Sequence, residues 1–278
     1  MQERIVGLGS QYYAVERPDC PCPEEELFEG ISDVTVLNDA VLVLRRVIPQ
    51  LLVFGLDGTF RQFVEITGMT YGHGIRALGD GSFAATDMDG HKIIVLDGNF
   101  EEVQRLDCGN RPALQAPFNH PTDCARSSDG RLHVSDGYGN SVIHIFSTDG
   151  DLIETFGGPG SDPARFSTPH AVLIDQQERV CVADRENNRV QRFTLEGAFL
   201  DEITGVYKPM ALETLADGTL LCTDQTPRLS AFSPDGMLTG RCRTFGTFAH
   251  GLGVAPDGTI IIAEMLPNRV SFLRPTAN

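Results

Sequence analysis

Positive charge is scarce in this chain. Its 278 residues hold 22 Lys and Arg against 38 Asp and Glu, a formal net charge of −16. Phosphate backbones and anionic lipid are bound by basic stripes, and no run of Lys and Arg interleaved with aromatics occurs, so neither nucleic acid nor membrane is expected as a partner. The acidity reads as a solvated surface. Long apolar runs are also missing: nowhere do about 18 uninterrupted apolar residues occur, which excludes a spanning helix. The opening "MQERIVGLGSQYYAVERPD" has neither an apolar h-region nor a cleavage pattern, so no signal peptide is expected. Seven cysteines, an odd number scattered through strand-like segments, read as free thiols in a reducing compartment. Cys20 and Cys22 in "CPCP" lack a second pair and make a weak metal signal. The expected location is the cytoplasm. Helical periodicity of useful length is absent too.

What the chain has instead is a repeat. "LGDGSFAATD" (78–87), "SSDGRLHVSD" (127–136), "DQQERVCVAD" (175–184), "LADGTLLCTD" (215–224) and "APDGTIIIAE" (255–264) share one plan, a turn followed by a short apolar strand ending on a carboxylate. "VLNDAVLVLR" (36–45) is a degenerate sixth copy. Apolar strands flank each copy, and turn signals every 8–12 residues argue for antiparallel strands. Six units of about 40 residues are the signature of an all-β, six-bladed propeller with four-stranded blades, a single domain over 1–278. Blades are expected at about 27–66, 69–107, 117–157, 166–204, 206–245 and 248–274. The last lacks an outer strand, which "RIVGLGSQYYAV" (4–15) would supply, closing the ring; an open solenoid or sandwich would leave edges uncovered.

Alignment on the turn residue exposes two columns. Seven residues before it stand Ser32, His73, Thr122, His170, Met210 and His250; seven after it stand Arg46, Asp87, Asp136, Asp184, Asp224 and Glu264. A hairpin brings both positions to one mouth of the channel. One histidine in the first column would be an ordinary satisfied channel residue. Three, in blades two, four and six, stand about 120° apart and converge on the axis. Three neutral imidazoles with an open fourth position suit a catalytic zinc, and iron, cobalt or manganese is also accepted by such a set. The carboxylates of the second column read as acceptors for backbone amides of the next turn. Arg46 breaks that column, and Arg185 and Tyr138 lie just beyond it. Singly, Arg185 reads equally as a turn-stabilising ion pair and Tyr138 as a packed rim aromatic. Together they suggest a substrate carboxylate held by guanidinium beside a phenolate favoured by nearby cations.

"FNHPTDCARSSDGRLHVSDGYGNSVIHIFSTDG", "FSTPHAVLIDQQERVCVADRENNRVQRF" and "FAHGLGVAPDGTIIIAE" resemble the lyase propeller of peptidylglycine amidating enzymes, the peptidyl-α-hydroxyglycine α-amidating lyases of the NHL-repeat group. The likeness is densest over 117–193, weaker over 30–107 and 248–274, and faint over 194–245. NHL-type repeats alone are unspecific, whereas "SDGYGNS", "PH" and "VADRENNR" in that order are not. The resemblance implies a zinc at His73, His170 and His250, a catalytic Tyr138, and active-site arginines at Arg46 and Arg185. It also implies cleavage of an N-acyl-α-hydroxyglycine to an amide and glyoxylate, with Tyr138 taking the hydroxyl proton and the zinc countering the charge that develops.

Three departures stand against that pattern. The family places a calcium-binding aspartate directly after its third zinc histidine, where this chain has Gly251. The remaining calcium ligands are carbonyls matching Val34 and Ile75, and Asp33, one blade round in the same column, is the candidate replacement. Secreted members carry disulfides near the tyrosine and the arginine turn, where this chain has Gly139 and sets Arg192 opposite Cys181. No copper monooxygenase domain precedes the repeats, so a small metabolite with an α-hydroxy-amide or ureido carboxylate is the expected substrate. Two other readings stay open: hydration, dehydration or hydrolysis at the same metal, and an NHL interaction module without catalysis.

Overall fold

A computed structural model of the chain describes residues 4–107 and 117–277. It is a closed ring of six antiparallel sheets, five of four strands and one of five. The innermost strands are Ile31–Leu37, Gly72–Ala77, Asp123–Arg126, Pro169–Ile174, Pro209–Thr214 and Phe248–Val254. Each pairs with a second strand: Ala40–Arg45, Phe83–Asp87, Leu132–Asp136, Val180–Asp184, Leu220–Asp224 and Ile260–Met265. The turn between them is built locally. In blade 6 the amide of Thr259 donates to Asp257 Oδ1 at 2.9 Å and Gly258 takes φ +84°, a conformation glycine adopts without strain.

Burial follows the layering. Strands two and three of a blade are buried on both faces because neighbouring blades cover both, while an outer strand such as Leu152–Gly157 is largely exposed. Six apolar clusters result, one at each contact between adjacent blades. The cluster that joins the last blade to the first holds Val43, Phe54, Ile261 and Phe272, with Leu27 at the end of a short helix, Glu24–Leu27, and Phe28 just after it.

The expected N-terminal closure is present, and it is a hairpin rather than one strand. Gln11–Glu16 pairs with Arg269–Pro275 as the fourth strand of blade 6, and Arg4–Leu8 adds a fifth. The turn at Gly9 (φ +63°) lies against Gly240, where an added Cβ would meet Gly9 N at 2.1 Å. Cys20, Cys22, Cys124, Cys181, Cys222 and Cys242 are free; Cys108 lies outside the described residues. Cys181 faces Arg192 across its strand pair. Among the described residues no helix is long and apolar enough to cross a membrane.

Candidate functional site

The three column histidines meet on the axis. Their ring centroids form a near-equilateral triangle, 4.8 Å from His73 to His170, 4.8 Å from His170 to His250 and 5.0 Å from His73 to His250. All three are buried. Each sits where strand register slips by one residue: Gly72 pairs with Asp87 and then Ile75 with Ala85; Pro169 pairs with Asp184 and then Ala171 with Ala183; Ala249 pairs with Glu264 and then Gly251 with Ala263. A β-bulge re-aims its extra side chain, which is what turns these imidazoles inward.

Orientation of the rings comes from the other three blades. His73 Nδ1 donates to the carbonyl of Thr122 at 2.8 Å, His170 Nδ1 to Met210 at 2.7 Å and His250 Nδ1 to Ser32 at 2.9 Å. Those acceptors are the first-column residues of blades three, five and one. A carbonyl only accepts, so every Nδ1 carries the proton and every Nε2 presents a lone pair to the axis. Ser32 Oγ in turn donates to the carbonyl of His73, and Thr122 Oγ1 donates to that of Pro169 at 2.8 Å. Burial, then charged neighbours, holds the imidazoles neutral. His170 is pushed down to about 3 by desolvation and the Arg185 charge, and desolvation with flanking positive charge drives His73 and His250 well below the usual range.

These features fit a first-row divalent metal. One donor atom from each histidine lies within 4.8 Å of the others. His170 Nε2 is buried with no hydrogen-bond partner, an orphaned acceptor that a cation would satisfy. Carbonyl acceptors on the outer nitrogens are the usual way a histidine ligand is held and its basicity raised.

The sequence-predicted site residues surround that centre. Tyr138 is 40% exposed at the mouth, and its hydroxyl lies 3.1 Å from His73 Nε2 and 3.2 Å from Arg185 Nη1, which donates to it. The Arg185 guanidinium also lies over the Tyr138 ring, 5.2 Å from its centroid. Arg46 Nη2 reaches His250 Nε2 at 2.5 Å. Two glycines make the tyrosine loop possible. A Cβ at Gly137 would fall 2.1 Å from Pro169 O, and one at Gly139 would fall 2.3 Å from Asn119 O, so the loop presses on adjacent backbone on both sides of Tyr138. Arg185 opens the 3-10 turn Arg185–Asn187 and is steadied by Glu186, 3.0 Å from its Nε; Glu186 also pairs with Lys208 at 2.8 Å.

The second-column carboxylates have the structural role expected of them. Asp87 accepts from the amides of Thr70, Tyr71 and Gly90, Asp184 from Ser167, and Glu264 from Phe245 and Gly246. Arg46, lacking a carboxylate, is released from that duty.

A layer of charge lies directly beneath the histidines. Asp33 Oδ1 accepts from the amide of Val34 at 2.8 Å and Oδ2 from that of Ile75 at 2.9 Å. At the place considered for calcium, these two residues therefore present N–H groups to Asp33. A Cβ on Gly251 would lie 2.5 Å from Asp33 Cα and 2.6 Å from Oδ1, so the glycine makes room for the aspartate of the next blade. The positive charge here belongs to Arg76, which pairs with Asp123 at 3.0 Å and Glu213 at 2.9 Å and donates to the carbonyl of Leu212 at 3.2 Å. Burial opposes its charge, but Asp123, Glu213 and Asp33 outweigh that and hold its pKa up. Burial pushes the Asp33 and Asp123 carboxyls up, for Asp33 with added repulsion from Asp123. Between this layer and the histidines only about 10 Å³ is free, so a ligand reaches the Nε2 atoms from the tyrosine mouth.

Removing one partner of a buried ion pair strands the other. Arg76→Met is therefore expected to cost about 3–5 kcal/mol of stability, read as a lower urea midpoint at unchanged slope; an unaltered midpoint would show that Arg76 carries no such load. Sequence reasoning missed this layer, Glu186, and the three carbonyl acceptors.

The NHL repeat matches residues 166–193, the inner three strands of blade 4 with the turn before them. A probable peptidyl-alpha-hydroxyglycine alpha-amidating lyase of Caenorhabditis elegans is 29% identical over 223 residues, 73% of this chain and 63% of that protein. Human NHL repeat-containing protein 3 is 32% identical over 228 residues, 76% of this chain and 61% of the relative. The chain thus spans under two thirds of the length of these curated relatives. A streptogramin B lyase structure superposes with a TM-score of 0.70 at 14% identity, covering 95% of this chain and 98% of the other, a likeness of fold. By fold the chain is a six-bladed propeller, and the NHL repeat matches one of its blades. In sequence it is similar to proteins named as peptidyl-alpha-hydroxyglycine alpha-amidating lyases.

Proposed function

We propose that the protein is a metal-dependent carbon–nitrogen lyase that splits an α-hydroxyglycine-type carbinolamide, acyl or ureido, into an amide or urea and glyoxylate. The observation that carries this reading is the convergence of three Nε2 lone pairs, the Tyr138 hydroxyl and two guanidinium groups at one mouth. His73, His170 and His250 would hold the metal, zinc by the resemblance, and when bound it supplies positive charge against which negative charge on the substrate is stabilised.

The protein's own groups account for the rest. Arg185 and Arg46 bracket the mouth and suit a carboxylate, which a guanidinium grips with two parallel hydrogen bonds. Tyr138, as phenolate, takes the proton of the carbinol hydroxyl. The C–O bond becomes a carbonyl, the C–N bond breaks, and its electron pair leaves with nitrogen. Tyr138 now carries a proton and returns it to that nitrogen, so the products are amide and glyoxylate with no water consumed. Arg185, donating to the phenolic oxygen at 3.2 Å, holds that oxygen in place for the proton transfer.

Zinc-loaded protein given α-hydroxyhippurate is expected to release benzamide and glyoxylate in a 1:1 ratio. Benzoate in place of benzamide would mark a hydrolase, and recovery of unchanged substrate at saturating protein would end the lyase reading.

A further inference from the structure

One polar side chain at the mouth takes no part in the proposed proton transfer or carboxylate binding. Strand register slips in blade 5 as it does at the histidines: Pro209 pairs with Asp224 and then Leu212 with Cys222. Buried Met210 thus takes the position that an imidazole takes in blades 2, 4 and 6. It lines the same small space as the three histidines, and its carbonyl orients His170. Gln225 touches Met210. It follows the second-column Asp224 as Arg185 follows Asp184, so it is the blade-5 counterpart of Arg185 at the same mouth. Tyr207 and Lys208 link the two positions. The Gln225 amide donates to the Tyr207 carbonyl at 3.0 Å, and Lys208 donates from its amide to Asn188 Oδ1 at 3.0 Å and pairs with Glu186.

A carboxamide has two N–H donors and an oxygen that accepts. The side chain of half-buried Gln225 makes one hydrogen bond among the described residues, from Nε2 to Met210 Sδ at 3.4 Å. A thioether is a weak acceptor, so Oε1 and a donor hydrogen are open to a ligand at the mouth. We infer that Gln225 reads the amide of the substrate and stabilises it as it leaves; the inference rests on the proposed lyase reading. Beside its carboxylate and hydroxyl, an N-acyl-α-hydroxyglycine carries one N–H and one acyl oxygen. Gln225 matches both, Oε1 accepting from the N–H and Nε2 donating to the oxygen. When the C–N bond breaks, the electron pair that stays on nitrogen is shared with the acyl oxygen. The Nε2 hydrogen bond therefore strengthens as charge develops, until the proton from Tyr138 completes the amide.

Calorimetry tests amide recognition without turnover. Hippurate and γ-phenylbutyrate share length and carboxylate, and only hippurate has the amide. Gln225→Met is expected to weaken hippurate binding roughly tenfold, as loss of hydrogen bonds to a neutral group does, with γ-phenylbutyrate affinity and metal content unchanged. In turnover, removing a donor from developing negative charge should cost about 10²- to 10³-fold in kcat. The loss should be larger for p-methoxy- than for p-nitro-α-hydroxyhippurate, because the poorer leaving amide depends more on the donor. Gln225→Glu, which keeps an acceptor and loses the donor, should show the same order. Unchanged hippurate affinity, equal weakening of both ligands, or a kcat loss independent of the ring substituent overturns the inference. Hippurate selectivity that depends on Gln225, without turnover of any hydroxyhippurate, supports amide recognition and overturns the lyase reading instead.

Discussion

Replacing His170 with alanine is expected to yield a folded propeller that no longer retains a divalent metal through purification and has lost about a thousandfold of the proposed lyase activity. The size follows from the role: charge stabilisation by a metal is worth several kcal/mol, and each 1.36 kcal/mol is a factor of ten in rate. His170 is the sharpest choice of the three. Its Nε2 has no hydrogen-bond partner, whereas His73 Nε2 faces the Tyr138 hydroxyl and His250 Nε2 faces Arg46. Truncation there releases no side-chain partner of Nε2; only the Met210 carbonyl loses its donor, as the Thr122 or Ser32 carbonyl would in the other two variants. The loss of metal affinity should exceed the roughly 10- to 100-fold cost of deleting an outer hydrogen-bond partner. Metal content per chain is the readout, with His120→Ala, outside the first column and partly exposed, as the comparison that should keep its metal. Full metal content in His170→Ala would dismiss the three-histidine centre.

Much of this site is legible in the sequence because a tight turn is a rigid ruler. Counting seven residues either way from Asp80, Gln177 or Asp257 lands on structural equivalents, and it picks out His73, His170 and His250 from seven histidines. The same ruler shows Arg46 as the one cation in a column of acids. What it hides are features without a residue signature. The bulges that turn the imidazoles inward are slips of register, and the acceptors at Ser32, Thr122 and Met210 are backbone carbonyls that any residue supplies. The charge layer is hidden for another reason: Arg76 meets Asp123 and Glu213 from 47 and 137 residues away, and only ring closure brings those strands together. Residues 4–15 read as a single strand because the Gly9 reversal interrupts an otherwise continuous apolar pattern by only two residues.

The alternation of blades also explains how a small site is kept rigid. Even-numbered blades supply the imidazoles, and odd-numbered ones supply the carbonyls that orient them. The odd-blade aspartates then reach back: Asp33 binds the amide two residues beyond His73, and Asp123 binds the amide of Val172, two beyond His170. Each axis-facing ring is thus fixed by contacts to a neighbouring blade, and the strands of His73 and His170 by a second. Geometry held from several directions is what pre-organised catalysis requires.

Rigidity of that kind sets the expectation for Tyr138→Phe, which deletes one oxygen from a framework that does not otherwise depend on it. The ring stays packed at right angles to His73, with centroids 5.3 Å apart, and under the Arg185 guanidinium. Fold, metal content and carboxylate binding should therefore be retained. A general base contributes about 10²- to 10⁴-fold, so kcat is expected to fall by about that factor while KM changes little. Loss confined to kcat means that an interaction made only in the transition state has gone. Binding of N-acylglycines, which lack the reacting hydroxyl, should match the parent protein and separates a lost base from a disturbed site. Arg185→Met gives the complementary signature: KM should rise because a carboxylate contact is lost, and kcat should fall because the phenolic oxygen loses the donor that holds it in position. Tyr138→Phe turning over at the parent rate would move the proton transfer to another group, and a KM effect alone would reduce Tyr138 to a wall of the pocket.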